Sequence, residues 1–335
     1  MMLIETRWMP AMRRFAAGID LSERELRLVV VSRCIRPLAA SRVEWLGAEP
    51  LPSSAMASGH IADVRAIAAA LAALLGRWPA ACTVRALPAA MAVPGSLTWI
   101  ASMPLPQLRA GLPGARGTGV ADPLESAARA HAERIAGIER EALAVDWRVE
   151  RSAASDCVQV EAGAGSASHL TIAATARAHL EARIEAAAGA GIALVAVDSE
   201  PAAALRALVR TAAPALRGME SFAALWAGDD GVYGWRIRGS TIEAHACCPA
   251  LQRRGLPDML RELAGPHALA CAVAGGDLDA LARDSLALAD IGDLLGCLAL
   301  PFACAPFLAP GSSLSRAHEP GFAVAYGLAL GGVEQ

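Results

Sequence analysis

The sequence predicts an α/β protein of two similar lobes, and three observations carry that prediction. Each half opens with strand, turn and strand and carries helices further on. Between Leu170 and Val197 a strand, a helix and a strand follow one another at the length of a parallel crossover. The 335 residues, 55% of them hydrophobic, are ample for a large buried core.

The elements read as follows. Ala16 to Leu21 is an apolar run that ends at the polar turn Ser22-Glu23-Arg24-Glu25, and Leu26 to Val31 resumes a β-rich run that Arg27 interrupts on one wet face. Ile61 to Leu75 is a helix, with Val64, Ile67, Leu71, Leu74 and Leu75 on one side and Gly76 as its stop. Met91 to Met103 is strand-like around Pro94-Gly95. Gly111 to Gly119 is a loop, and Asp122-Pro123 opens a helix to about Ile138, with Glu125 and Arg129 paired four apart. Val145 to Val149 reads as an edge strand. The strand Leu170 to Ala174, the helix Ala176 to Ala188 and the strand Ile192 to Val197 come next, and Ser199-Glu200-Pro201 starts a helix to about Thr211. The second half holds strands near Phe222 to Trp226, Val232 to Ile237, Thr241 to Ala246 and Cys271 to Ala274, a short helix Leu256 to Leu263, and a closing apolar helix from Gly321 to Leu330. No short-period repeat is present.

Composition excludes several function classes. The net charge of −3 predicts no electrostatic grip on nucleic acid or on an anionic membrane. All 30 basic residues are arginine, which with the abundant alanine reflects genome composition. The eight cysteines form no CxxC pair and sit at no zinc-ligand spacing; Cys247 and Cys248 read as small residues on the two faces of a buried strand end. The pattern suits a reducing compartment. The N-terminus lacks the apolar stretch of a signal peptide, and the uncharged stretch Leu294 to Pro310 is broken by Pro301 and Pro306. A soluble protein is expected, with membrane association only through a partner. The seven histidines are scattered, and no GxSxG, HExxH or P-loop pattern occurs, so no catalytic and no metal-binding residue is assigned.

Three places have the chemistry of a phosphate or nucleotide loop. In Gly18-Ile19-Asp20-Leu21-Ser22 a strand-end acid can hold a magnesium-bound water and a small hydroxyl can touch phosphate, although the same residues are ordinary turn chemistry. In Trp226-Ala227-Gly228-Asp229-Asp230-Gly231 the glycines allow close backbone approach, but two carboxylates would face a phosphate, and a hairpin needs no ligand. In Ala274-Gly275-Gly276-Asp277, after an apolar strand, the Gly-Gly turn can let a base or ribose pack on the backbone, or can be a strand-to-helix turn that needs positive φ.

The order of these segments resembles the PilM family of type IV pilus assembly proteins. Gly18 to Ser22 followed by Leu28 to Ser32-Arg33 is similar to that family's GIDI-S turn and its strand ending in SR. Ala92-Val93-Pro94-Gly95-Ser96 to Met103-Pro104, and Ala127 to Val149, are similar to the start and the later helix and strand of its inserted subdomain. Leu170 to Pro201 resembles its AA-xR … AGL … VVDVEA, Ala272 to Gly276 its LAGG turn, and Tyr326-Gly327-Leu328-Ala329-Leu330 its closing CGLAL. The resemblance spans nearly the whole chain. It implies an actin-like (ribonuclease H-like) two-lobe α/β fold with a small subdomain inserted in the first lobe. The domains would be a first-lobe subdomain at 1–88, the insertion at 89–165, a first-lobe return at 166–212 and a shortened second lobe at 213–335.

The resemblance also implies a cytoplasmic protein that docks on the N-terminal tail of a PilN-like bitopic membrane protein, among other proteins of the inner-membrane platform. Its residual nucleotide-binding positions would be Asp20, Ser22, Arg27 (a lysine in the family), Gly228, Gly275 and Gly276. By position alone, Ala92, Val93, Leu97, Ile100 and Ile135 are candidates for the partner groove. Where the family reads D-I-G-A-T, this chain reads Trp226-Ala227-Gly228-Asp229-Asp230, and the stretch from Cys247 to Leu269 is shortened. Both departures oppose Mg-ATP, so the expectation is a scaffold with a degenerate cleft that needs no cofactor. The alternatives are an active ATP-binding member of the fold, and a scaffold of a related secretion or cell-division machine.

Overall fold

The computed structural model describes residues 13–35, 40–78, 87–105, 123–150, 169–216, 220–308, 315–316 and 318–334. Cys82, Cys157, the loop Gly111 to Gly119 and the Asp122 cap lie outside them. The chain divides into a large unit, Met1–Pro94 with Arg183–Gln335, and a small unit, Gly95–Ala182.

The large unit contains two five-stranded sheets of the same design. In the first, β1 (Arg13–Leu21), β2 (Glu25–Cys34) and β3 (Ser41–Pro50) form an antiparallel meander, and β6 (Ala89–Val93) and β10 (Leu194–Ser199) continue it in parallel from β1, giving the order β3-β2-β1-β6-β10. In the second, β11 (Ser221–Ala227), β12 (Gly231–Arg238) and β13 (Thr241–Pro249) form the meander, and β14 (Ala272–Gly276) and β15 (Ala299–Pro301) follow in parallel, giving β13-β12-β11-β14-β15. A short hairpin, β4 (Met56–Ala57) with β5 (His60–Ile61), leads into α1 (Val64–Gly76), whose Asp63 cap accepts from two backbone amides.

Both faces of each sheet are covered, and the strand sequences show it. In β2, Val29 and Val31 face one cluster while Leu26, Leu28 and Val30 face another. The first of these clusters is the shared core. Into it run α4 (Glu200–Ala212), through Ala203, Ala204, Ala207 and Leu208, and α8 (Ala323–Glu334), which is buried on every side from Ala323 to Leu330. The outer face of the first sheet packs against α1 and the end of α3 (Arg177–Gly189). The outer face of the second packs against α5 (Leu256–Ala264), α6 (Leu278–Arg283) and α7 (Leu288–Leu295).

Small residues let the central layers close up. A Cβ on Gly18 of β1 would overlap the carbonyl oxygen of Ala325 in α8, and one on Gly327 of α8 would overlap the carbonyl oxygen of Ala203 in α4. These two motif glycines are backbone-to-backbone contacts of the core.

The small unit is a three-stranded antiparallel sheet, β7 (Thr98–Pro104), β9 (His169–Ala176) and β8 (Leu143–Glu150), in the order β7-β9-β8, with α2 (Pro123–Ala136) on one face. Ala128 and Ala132 of that helix meet Leu143, Leu170, Ile172 and Ala174.

Three expectations are corrected here. The insertion runs over Gly95–Ala182 instead of 89–165, because β6 is a central strand of the first sheet and β9 is the central strand of the small one. For the same reason β9, α3 and β10 are not a crossover within one sheet. Cys247 and Cys248 point to opposite faces of β13, but only Cys248 is buried, since β13 is an edge strand. Among the described residues no helix is long and apolar enough to cross a membrane.

Candidate functional site

The carboxyl ends of β1, β10, β11 and β14 converge on one cavity of about 410 Å³, the place where sheets of this kind present ligands. Five of the six predicted nucleotide-site residues line it: Asp20, Ser22, Arg27, Gly228 and Gly276. Gly275 does not. It faces Ala323 and Leu208 in the core, where a Cβ would crowd both. Gly276 adopts φ +96° and lies against Ala227, so the Gly-Gly pair forms the strand-to-helix turn that needs positive φ. Gly228 to Gly231 is the hairpin between β11 and β12, closed by the Gly228 N–H on the Gly231 carbonyl at 2.9 Å.

The first loop is occupied with itself. The Ser22 hydroxyl donates to the Glu25 carbonyl at 2.9 Å and accepts from the Glu25 N–H at 3.1 Å, so its proton is already committed within the turn. Asp20 is buried at the end of β1, and Arg27 donates to it at 3.1 Å and to Glu25 at 2.8 Å. Arg316 then joins Glu25 at 3.1 Å and Glu319 at 2.6 Å. The ion pairs thus form one chain across the cavity wall, from Asp20 through Arg27, Glu25 and Arg316 to Glu319.

The opposite wall is set by Trp226. Its indole N–H donates to the Glu200 carboxyl at 2.9 Å in the buried floor between β11 and the first turn of α4. Ser199 caps that helix by accepting from the Ala202 N–H. Burial pushes the Glu200 carboxyl well above the ordinary range, and the neighbouring Asp20 and Asp230 add to it. Burial also raises Asp20 to about 6, against the opposing pull of Arg27.

These two shifts have a measurable consequence. The fold favours the protonated form of both acids. Their contribution to stability is therefore complete below the ordinary carboxylate range and is lost as pH rises through the folded values, which for Asp20 is the interval from 3.8 to about 6. For Asp20 the loss is on the order of 3 kcal/mol. Glu200→Gln keeps an acceptor for Trp226 and removes the ionisation, so the variant gains on the wild type as pH rises from about 5 to about 8. Urea midpoints at the two pH values check this; parallel shifts of wild type and variant would contradict it.

Seven acidic side chains (Asp20, Glu25, Glu200, Asp229, Asp277, Asp279 and Glu319) line the cavity against three guanidinium groups, Arg24, Arg27 and Arg316. Each of those three is ion-paired, Arg24 with Asp277 at 3.6 Å. A polyphosphate entering the cavity would meet no uncommitted cation among these lining residues, and an excess of like charge. Among the described residues no group of three or more His, Cys, Asp or Glu side chains is placed to hold a metal ion.

Sequence reasoning did not single out Glu25, Glu200, Arg316 or Glu319, and it met Asp277 only as the last residue of the third candidate loop. Glu200 and Asp277 sit just past strand ends, a position that marks ligand sites in parallel sheets. Arg316 and Glu319 carry no local pattern. Of the positions proposed for a partner, Ala92 and Val93 are buried in the first sheet. In the small unit Leu97 and Ile135 are half-buried, and Ile100 on β7 is 55% exposed.

No family model and no curated protein matches the chain. Among solved structures it superposes on one described as the PilM-PilN type IV pilus biogenesis complex, with a TM-score of 0.69 and 21% identity over 96% of this chain and 99% of that one. The chain has the actin-like fold. The two sheets of identical strand order, the helices α4 and α8 between them and the cavity at the strand ends are that fold's parts in this chain. Looser likenesses join it to a protein from Bacteroides thetaiotaomicron with an actin-like ATPase fold and unknown function (TM-score 0.47, 9% identity, 88% of this chain and 93% of that one). A further one is the ethanolamine utilization protein EutJ from Carboxydothermus hydrogenoformans (0.42, 14%, 94% and 89%). At these scores the last two add nothing to the assignment.

Proposed function

We propose that this chain is a cytoplasmic scaffold of a type IV pilus assembly platform, which binds the N-terminal tail of a PilN-like membrane protein and does not work by nucleotide hydrolysis. A fold alone carries no function. The supporting observation is that the likeness to the PilM-PilN complex extends over almost the whole of both chains, as do the motif resemblances in the sequence. The cleft supports the second half of the reading, since its cations are paired and its strand-end acid has given way to Trp226. The protein meets the membrane through its partner on this reading, with other platform proteins as further contacts.

The test is a titration with a peptide of the first residues of the PilN-like protein encoded nearby. Saturable micromolar binding is expected, and no binding at high micromolar peptide overturns the reading. A second reading, an ATP-binding enzyme of the same fold, is favoured by the size of the cavity and by the retained Asp20. Mg-ATP decides between them. A ligand at a hundred times its dissociation constant stabilises by about 2.7 kcal/mol, so binding would be plain in a melting curve. No melting shift is expected.

A further inference from the structure

The turn between β1 and β2 has a limited set of backbone donors, and nearly all of them are spent inside the turn. Ser22 N–H goes to the Glu25 carbonyl at 3.0 Å, Glu25 N–H to the Ser22 hydroxyl at 3.1 Å, and Arg24 N–H to the same hydroxyl at 3.4 Å. The Glu23 N–H points out of the turn, and it is met at 2.9 Å by the carboxylate Oδ2 of Asp229, 206 residues further along the chain. A carboxylate on a backbone N–H is a charge-assisted bond of the kind that an external anion would make there.

Asp229 is presented by a firmly held hairpin. Gly228 N–H closes the turn on the Gly231 carbonyl, Ala250 N–H binds the Asp230 carbonyl at 3.0 Å, and the Tyr233 hydroxyl donates to Asp230 at 2.8 Å. A second contact crosses the cleft beside it, Arg24 to Asp277 at 3.6 Å. Asp277 is fixed as well: its carboxylate caps α6 by accepting from the Ala280 N–H at 2.9 Å, and its own N–H binds the Ala227 carbonyl at 3.0 Å. In both contacts the second-sheet acid is built into a hydrogen-bonded turn.

We infer that the cleft is latched by the protein's own acids in place of a bound anion, with Asp229 as the internal ligand of the β1–β2 turn and the Arg24–Asp277 pair as a second clasp. The two sheets are then held together across the cleft with no nucleotide present. An entering polyphosphate would have to displace Asp229 from the Glu23 N–H and remain beside its charge. The inference rests on the proposed nucleotide-independent cleft, but not on the identity of the partner.

Hydrogen exchange on the full chain tests it, comparing wild type with Asp229→Ala, Asp229→Asn and the double variant Arg24→Ala/Asp229→Ala. Asp229 is exposed, so neither of its substitutions threatens the core. Asp229→Ala should speed exchange at least tenfold in the β1–β2 turn and also in the distant cleft walls at Gly276–Leu278 and 318–322. The double variant should exceed it, and Asp229→Asn, which keeps an acceptor oxygen, should fall between. Faster exchange at Glu23 alone, or no change in Asp229→Ala, would overturn the latch. Peptide binding by the wild type is scored separately: its absence would overturn the scaffold reading and leave the latch standing.

Discussion

Replacing Gly327 by alanine should destabilise the protein by more than about 3 kcal/mol, at the upper end of what one added methyl group does. The reason is the position of α8. It lies between β1 and α4, buried on all sides. A Cβ at Gly327 would overlap the backbone of Ala203, so α8 must move away from α4. On the opposite side it meets β1, where Gly18 already touches the backbone of Ala325 and Ala329 so closely that no side chain fits. Gly18→Ala should cost a similar amount, by pushing α8 the other way. The double variant should be worse than the sum of the two, because each substitution removes the space into which the helix would relax for the other. Chemical denaturation of the three variants checks this. Single-variant losses below about 1 kcal/mol, or strict additivity, would mean that the helix has slack that the packing does not show.

That result also bears on how much of this molecule is legible in its sequence. Gly18 stands in the segment that reads as a phosphate loop, and Gly327 in the closing motif. In the structure both serve close packing, because a glycine requirement looks the same in sequence whether the close neighbour is a ligand or another backbone. The β1–β2 hairpin was legible from two apolar runs around a polar turn, although the face read as wet at Arg27 is covered, and α8 was legible as a closing apolar segment. Strand pairing was not. The segment Leu170 to Val197 has the local pattern of a crossover, yet β9 bonds β7 and β8 while β10 bonds β6. Nothing within a strand names its partner when several edges of equal propensity are on offer. The strand Ser41–Pro50 was missed for a related reason: Arg42, Glu44 and Glu49 dilute its apolar run, and pairing with β2 supplies what propensity does not.

The cleft divides the same way. Asp20, Ser22, Gly228 and Gly276 were found because each sits at a turn just after an apolar strand, where chain geometry exposes it. Their partners were not, because an ion pair such as Glu25 with Arg316 joins residues 291 apart in sequence. The charge balance of the site could therefore be stated only once the fold had assembled it. The indole at Trp226 was visible in the sequence, but not its structural part: its N–H serves the buried carboxyl of Glu200.

Arg27→Met tests the strength of that balance. The arginine holds Asp20, which is 2% exposed, and Glu25, which is only partly buried, and Gly321 packs directly against its guanidinium. Removing one member of a buried pair leaves an uncompensated charge and typically costs about 3–5 kcal/mol. The cost should depend on pH in a defined direction. Without Arg27, the carboxyl of Asp20 rises further than the value of about 6 it has beside the arginine, so the variant escapes part of the penalty at acid pH by keeping Asp20 protonated. The difference from wild type should then grow as pH rises through and beyond that value. Adding Asp20→Asn removes the charge that needed a partner, so the double variant should recover much of the loss at neutral pH, and its difference from wild type should no longer grow as pH rises. Denaturant unfolding of the single and double variants at acid and alkaline pH measures both effects. A loss that is equal at the two pH values, or a double variant no better than Arg27→Met, would show that Arg27 acts through packing against Gly321 and not through the charge of Asp20.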